Sequence, residues 1–191
     1  MRVLAMIFRA ICGLNALVGH VFSWLSLGIV LVCFTVVVQR YLFAASYVWM
    51  QDLYIWLNGA MFTAVAGFAL MRGDHVRVDI FYRPAKPRTK ALVDLLGSVL
   101  FLLPFCAVVY TYSMPFVMRA WSYSEASANV GGMPGLYILK SFIIVFVGLL
   151  ALQGIGMILR SVLVLAGRSD LLPVSQRYSA DDPLSDTGGV A

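Results

Sequence analysis

The sequence predicts an all-α membrane protein with four transmembrane helices. Of its 191 residues, 61% are hydrophobic and only 12% are charged, which is about half the charged fraction of a typical soluble domain. Lys, Arg, Asp and Glu are absent from four long runs, residues 10–39, 53–71, 95–118 and 141–159. Each run is close to or above the roughly 20 apolar residues that a helix needs to cross a bilayer. Transmembrane strands would instead alternate in segments of about ten residues.

Local signals place the ends of the four spans, which we expect at about residues 12–38, 47–71, 87–118 and 136–165. Ser46 can cap the second span, and Pro87 suits the first turn of the third, where the N–H has no helical partner in any case. Pro104 frees the carbonyl of Leu100 inside the third span, which predicts a kink. The first charge-free run exceeds the bilayer core, so its helix should tilt or protrude.

The spans divide the chain into a membrane domain and a tail. We expect residues 1–170 to form the four-helix domain. Residues 171–191 are polar beyond the first few positions and contain Gly and Pro without an apolar period. Such a composition buries too little apolar surface to offset the entropy of ordering. We therefore expect a disordered cytoplasmic tail.

The distribution of Lys and Arg predicts the orientation. Eleven of the 14 basic residues lie before span 1, between spans 2 and 3, or at and beyond the end of span 4. The other three, Arg40, Arg119 and Lys140, lie on the opposite side. Because cytoplasmic loops carry the excess of Lys and Arg, both termini should be cytoplasmic. The net charge of +5 therefore reflects membrane topology, and we do not expect nucleic acid as a partner.

Motifs of enzymes and resident cofactors are missing from the sequence. Cys12, Cys33 and Cys106 form no CxxC pair, which argues against a zinc site or disulfide framework. Nucleophile triads, phosphate loops and HExxH motifs are also absent. Bis-histidine haem would need two histidines at compatible depth, but His20 lies within span 1 and His75 in a loop. No span carries a charge at mid-depth, where a transport pathway would need one.

The stretch MRGDHVRVDIFYRP, residues 71–84, admits two interpretations. His75 and Asp79 are spaced i, i+4 and could share a helical face as metal ligands, but neighbouring arginines would repel a cation. The alternative is a short amphipathic cytoplasmic connection between spans 2 and 3. Its apolar residues would face the acyl boundary while its arginines reach headgroups. We favour this second interpretation.

Small and polar residues inside the spans predict close helix contacts. Gly59, Thr63 and Gly67 recur at i, i+4 and i+8 in span 2, and backbones approach closely over such residues in lipid. Gln153 in span 4 needs a hydrogen-bond partner. Packing within this chain is the favoured interpretation, and contact with a second membrane protein is the alternative. Asp52 near the start of span 2 could pair with Arg40 or the helix dipole, or could contact a partner subunit.

These residues together resemble the small membrane subunit of TRAP transporters, the DctQ-like family of tripartite ATP-independent periplasmic transporters. That family shows four spans, an acidic residue early in helix 2, a Gly near its end and an H-[VI]-R-V-D signature. The corresponding residues here are Asp52, Gly67, His75, Val76, Arg77, Val78 and Asp79, with Pro134, Lys140 and Gln153 matching later positions. Two departures are Asp for the usual Glu in helix 2 and the absence of the usual Pro and Gly in helix 4, at residues 144–146.

The resemblance implies a non-enzymatic subunit of a bacterial inner-membrane transporter. Its partners would be a large DctM-like permease subunit, a periplasmic DctP-like binding protein and membrane lipids. Sodium-driven uptake of an organic anion would take place in the large subunit, and this subunit would hold no cofactor. We expect docking of the periplasmic partner at Arg40, Asp52, Arg119 and Glu125. The alternatives are a stand-alone membrane assembly factor or chaperone and a haem-binding electron carrier.

Overall fold

The computed structural model of the protein describes residues 1–74, 82 and 84–178. The regular structure of these residues is helical. These residues contain no strand. Four helical stretches are long and apolar enough to cross a membrane: Arg2–Leu42, Val48–Arg72, Pro87–Ser122 and Leu136–Leu165. The predicted all-α fold with four spans is therefore confirmed.

The first span is longer than predicted because two helices follow one another almost without a break. Helix α1 is Arg2–Ser23 and α2 is Leu25–Leu42. Trp24 between them keeps helical backbone angles of φ −65° and ψ −18°. The 41 residues are roughly 60 Å long at 1.5 Å per residue, about twice the bilayer core. The helix therefore begins ten residues before the predicted start of the span, near residue 12.

Buried apolar side chains explain this early start. Ala5, Phe8 and Ile11 recur on one face of α1 and are buried. Ala5 and Phe8 belong to the same apolar cluster as Leu163 and Leu172 near the C-terminus. Burying this face offsets the entropy of ordering the first three turns.

The other three helices begin and end within a few residues of the predicted spans, but Ser46 does not cap the second, because its N-cap residue is Tyr47 and no side chain caps it. Helix α3 is Val48–Arg72 and ends at Gly73, whose φ of +76° suits glycine. The third span consists of α4, Pro87–Gly97, a π-helical segment, Ser98–Leu102, and α5, Leu103–Ser122. The π segment precedes Pro104 and contains Leu100, where the missing proline N–H was expected to disturb the helix. Helix α6 is Leu136–Leu165, with the predicted bounds.

Successive spans run in opposite directions, which gives the bundle two distinct ends. We call the end that carries the N-terminus, the end of α3, the start of α4 and the segment after α6 the termini end. The opposite end, with the connections 43–47 and 123–135, is the loop end. Helices α1, α3 and α6 pack against one another, while α5 packs on α6 and α2 packs mainly on α3.

The segment after α6 folds back over the termini end, where we expected a disordered tail. Ser169–Leu171 and Val174–Gln176 are short 3₁₀ helices. Leu172 is 1% exposed, and Arg9 Nη2 donates to the Leu171 carbonyl at 3.0 Å. The structure therefore corrects the prediction for residues 171–178, which we call the C-terminal strap together with residues 169 and 170. Residues 179–191 lie outside the described part of the chain.

Candidate functional site

A buried carboxylate organises the loop end of the bundle. Asp52 in α3 is only 5% exposed. Asn129 Nδ2 donates to its Oδ1 at 2.9 Å, and the Met133 N–H donates to its Oδ2 at 3.1 Å. The Ser127 hydroxyl donates a further hydrogen bond to the carboxylate. Three donors from one loop thus stabilise the charge without a cation.

The connection between α5 and α6 is shaped to reach this carboxylate. The Ser127 N–H donates to the Met133 carbonyl at 2.9 Å, and the Gly132 N–H donates to the Asn129 carbonyl at 2.9 Å. Gly131 has a φ of +77°, which only glycine adopts readily. A Cβ on Gly132 would overlap Asp52 Oδ2 and lie 2.6 Å from Ser127 Oγ. Residues 127–133, which we call the docking-face loop, are therefore held in one conformation by contacts with α3.

This geometry corrects the interpretation of Asp52 as an outward charge or a partner of Arg40, because its bonds lie inside the chain. Arg40 and Arg119 are exposed at the loop end, and their role in docking stays a prediction. Glu125 accepts a bond from Lys140 Nζ at 2.5 Å. Lys140 also lies 4.1 Å from the centre of the Phe116 ring. Exposed, uncompensated charge at this end is therefore positive.

A second polar contact ties α1 to α6 within the bundle. Asn15 Nδ2 donates to Gln153 Oε1 at 3.0 Å, and the two residues are 1% and 2% exposed. Gly67 of α3 lies against this pair. A Cβ on Gly67 would overlap Asn15 Oδ1 and lie 3.1 Å from Leu149 Cβ. Gln153 and Gly67, two of the predicted packing residues, therefore meet inside this chain.

The remaining two predicted packing residues have different environments. A Cβ on Gly59 would lie 3.3 Å from Leu139 Cδ1, so this glycine faces α6. The Thr63 hydroxyl donates to the Gly59 carbonyl at 2.8 Å within its own helix. Thr63 is half-buried and supplies no bond to a neighbouring helix among the described contacts. The small-residue pattern thus marks internal packing at Gly59 and Gly67.

A third network, which the sequence did not reveal, lies at the termini end around Asp94. Tyr82 Oη donates to both carboxylate oxygens at 3.0 Å. Arg160 Nη2 and Tyr178 Oη each donate to Oδ2 at 2.6 Å. The Arg160 guanidinium also stacks 4.2 Å from the centre of the Tyr178 ring. One carboxylate of α4 therefore joins the α3–α4 connection, α6 and the C-terminal strap.

Both phenols of this network stay protonated far above neutral pH. Burial raises the pKa of Tyr178 to about 12, with the negative charge of Asp94 adding to the effect and Arg160 opposing it. Burial and the charge of Asp94 also raise the pKa of Tyr82. Neutral phenols can donate to a carboxylate, whereas phenolates cannot. The three donors of the Asp94 network are thus maintained across physiological pH.

The HVRVD signature, residues 75–79, lies outside the described residues. This applies to His75, Val76, Arg77 and Asp79 and to the predicted amphipathic connection. Asp74 just before them is exposed and lies 3.4 Å from Arg72 Nε. Tyr82 on the far side of the signature is bonded to Asp94. Of these two flanking residues, Tyr82 lies at the termini end through its bonds to Asp94.

The charged side chains of the described spans thus lie near the span ends, and the uncharged pair of Asn15 and Gln153 lies between them. His20 lies edge-on to Phe68, with ring centroids 6.1 Å apart. In the described part of the chain, no three His, Cys, Asp or Glu side chains are placed to hold a metal ion. These features define a multi-pass membrane protein with an ordered loop at one end and the C-terminal strap packed against the other.

The comparison with protein families agrees with this class. The family model described as "Tripartite ATP-independent periplasmic transporters, DctQ component" matches residues 29–164. This match leaves out residues 1–28 and 165–191 and covers well over half of the 191 residues, and the chain belongs to this family. The family is a component of a transporter and not an enzyme. No curated protein and no solved structure matches the chain.

Proposed function

We propose that the chain is the small subunit that braces a large permease subunit and helps to dock a soluble substrate-binding protein. The family match makes it one component of a tripartite system. In the described spans, Asn15 bonds to Gln153 and Asp94 bonds to Arg160, while Asp52 accepts bonds from the docking-face loop. Mid-membrane charges that could carry an ion or a substrate are absent from the described spans. This arrangement fits a scaffold, with transport in the partner.

The observation that carries the proposal is the exposure of α2. This helix of 18 residues has no buried residue and packs mainly on α3. Leu31 and Phe34 are 57% and 66% exposed. A helix that contributes nothing to the core of its own chain is available for contact with another membrane helix. We propose that this face of α2 contacts the large, DctM-like subunit.

Site-specific photocrosslinking tests this contact. A photoreactive amino acid at Phe34 should crosslink the large subunit in intact membranes. The matched control is Val108 on α5, which is 55% exposed on the far side of α6. Efficient crosslinking from position 108 with none from position 34 would reject α2 as the contact and place the partner on α5.

The orientation belongs to the same proposal. Both termini lie in the cytoplasm of a bacterial cell and the loop end faces the periplasm, as the distribution of basic residues favours. A reporter that is active only in the cytoplasm should be active when fused after residue 178. The same reporter inserted at residue 124 should be inactive, and the reverse pattern would exclude docking at the loop end.

Electrostatics at the loop end favour a soluble partner with an acidic surface. Reversing both exposed charges, Arg40→Glu with Arg119→Glu, should slow association with the binding protein and reduce its salt dependence. The transported substrate is an organic anion and the driving force is the sodium gradient, both handled by the large subunit. This chain holds no cofactor of its own in the proposal. Uptake that persists without this chain would contradict its role.

A further inference from the structure

The docking-face loop carries an apolar side chain with almost no protein contact. Val130 is 97% exposed, between Asn129, which donates to Asp52, and Gly131, with its φ of +77°. A single exposed valine is common on protein surfaces, and on a mobile loop it would indicate no function. Here Asn129 donates to Asp52, and the Gly132 N–H donates to the Asn129 carbonyl across the loop tip.

The docking-face loop exposes Val130 at the loop end of the bundle. The ends of the connection join α5 and α6, while Ser127, Asn129 and Met133 reach across to Asp52 near the start of α3. The loop therefore lies over the end of the bundle, where a soluble protein would approach. The lateral faces of α2 and α5 are the ones that meet lipid or another membrane helix.

The charges around the loop add a second feature of the partner. Arg40 and Arg119 are exposed at this end. The two carboxylates, Asp52 and Glu125, are engaged within the chain by the loop and by Lys140. A partner that presents carboxylates around an apolar depression would complement this surface.

We infer that the docking-face loop is a preformed docking element and that Val130 is its apolar anchor. Its occupant is the soluble component of the transporter, recognised through an apolar depression with an acidic rim. This inference rests on the proposed function, since it specifies where that component meets the small subunit. Asp52 is a positioning residue: it holds the loop and does not touch the partner.

Pre-organisation is the physical reason for this arrangement. A loop that is already ordered loses little conformational entropy on binding, so more of the contact energy contributes to affinity. Burial of one valine side chain in a complex lowers the dissociation constant by a factor of about 10 to 100. One side chain held at the loop tip can thus account for much of the affinity of a transient complex.

The test measures binding of the soluble component to the purified complex of both membrane subunits. Val130→Asp should weaken binding by about tenfold or more, and Val130→Ala by up to about tenfold. The matched control is Val174→Asp in the strap, because Val174 is 81% exposed at the other end. It should leave binding unchanged.

The positioning role of Asp52 has its own readout. Asp52→Ala should weaken docking when Val130 is present but add little in the Val130→Ala background, because both changes act on the same contact. A merely structural effect would reduce binding equally in both backgrounds. Equal reductions would therefore overturn the positioning role.

The remaining outcomes separate this inference from the proposed function. If the unaltered complex fails to bind the soluble component, the docking part of the proposed function is wrong. If the unaltered complex and the Val130→Asp complex bind equally well, the inference is wrong and the proposed function stands. If Val130→Asp prevents assembly with the large subunit, Val130 is a membrane-subunit contact and the inference is overturned.

Discussion

Replacement of Asp94 by Asn should destabilise the termini end of the bundle strongly. Asp94 and Arg160 have side chains that are 9% and 17% exposed, and removal of one partner of a buried ion pair costs about 3–5 kcal/mol. The lower end of this range applies because Arg160 keeps some contact with solvent and its stacking on Tyr178. We therefore expect a loss of about 3 kcal/mol in the free energy of unfolding. The melting temperature of the purified chain should fall by roughly 6–12 °C.

Thermal unfolding in mild detergent, followed by tryptophan fluorescence, measures this effect. The control is Asp170→Asn, because Asp170 pairs with Arg168 at 3.5 Å while their side chains are 65% and 48% exposed. An exposed pair contributes about 0–1 kcal/mol, so the control should melt almost normally. Adding Arg160→Gln to Asp94→Asn should cost little more, since no unpaired buried charge remains. A loss below about 1 kcal/mol for Asp94→Asn would refute the assignment of Asp94 as the centre of this network.

Three further predictions concern the bundle and the strap. Gly67→Ala should destabilise the bundle because its Cβ would overlap Asn15 Oδ1. Gly148→Ala should stabilise the bundle by up to about 1 kcal/mol, because a Cβ at this position would have no neighbouring atom within 4 Å. Equal melting temperatures of the two variants would show that the close approach at Gly67 is absent. Gln153→Leu should cost about 1–2 kcal/mol, because one N–H of the buried Asn15 amide loses its acceptor and only the bond to the Ile11 carbonyl remains. Asn15→Leu in the same chain should recover part of the loss. A full additive loss in the double variant would contradict the pairing. Because burial raises the pKa of Tyr178 from 10 to about 12, the contribution of Tyr178 to stability is complete below pH 10 and is lost as the pH rises towards 12. The ultraviolet difference spectrum between the unaltered chain and Tyr178→Phe should show one phenol that ionises well above pH 10. Ionisation near pH 10 would contradict the buried contact with Asp94.

The sequence predicted the spans well where composition alone decides the boundary. Helix α6 lies between Gly135, with a φ of +96°, and Gly167, with a φ of +72°, and both glycines are visible in the sequence. The start of α1 was missed because Arg2 and Arg9 were taken as the edge of the membrane. The spacing of Ala5 and Phe8 could have revealed the helix, since it continues one apolar face.

The polar networks were harder to predict because they join residues distant in sequence. Asp94 and Arg160 are the first charges next to two charge-free runs on the same predicted side, so their pairing could have been inferred. Tyr178 is 84 positions from Asp94, and no local sequence pattern predicts that contact. Asp52 likewise finds its donors 77 and 81 positions away, where only the folded α5–α6 connection brings them together.

Retention of this chain by the large permease subunit tests the central claim most directly. Both subunits should be produced together at their natural ratio, and the large subunit purified by its tag in mild detergent. The proposed scaffold role predicts that this chain remains bound in a fixed ratio and that the pair, embedded in vesicles, takes up substrate only when the soluble component is added. A large subunit that never retains this chain, and transports equally well without it, would contradict the account.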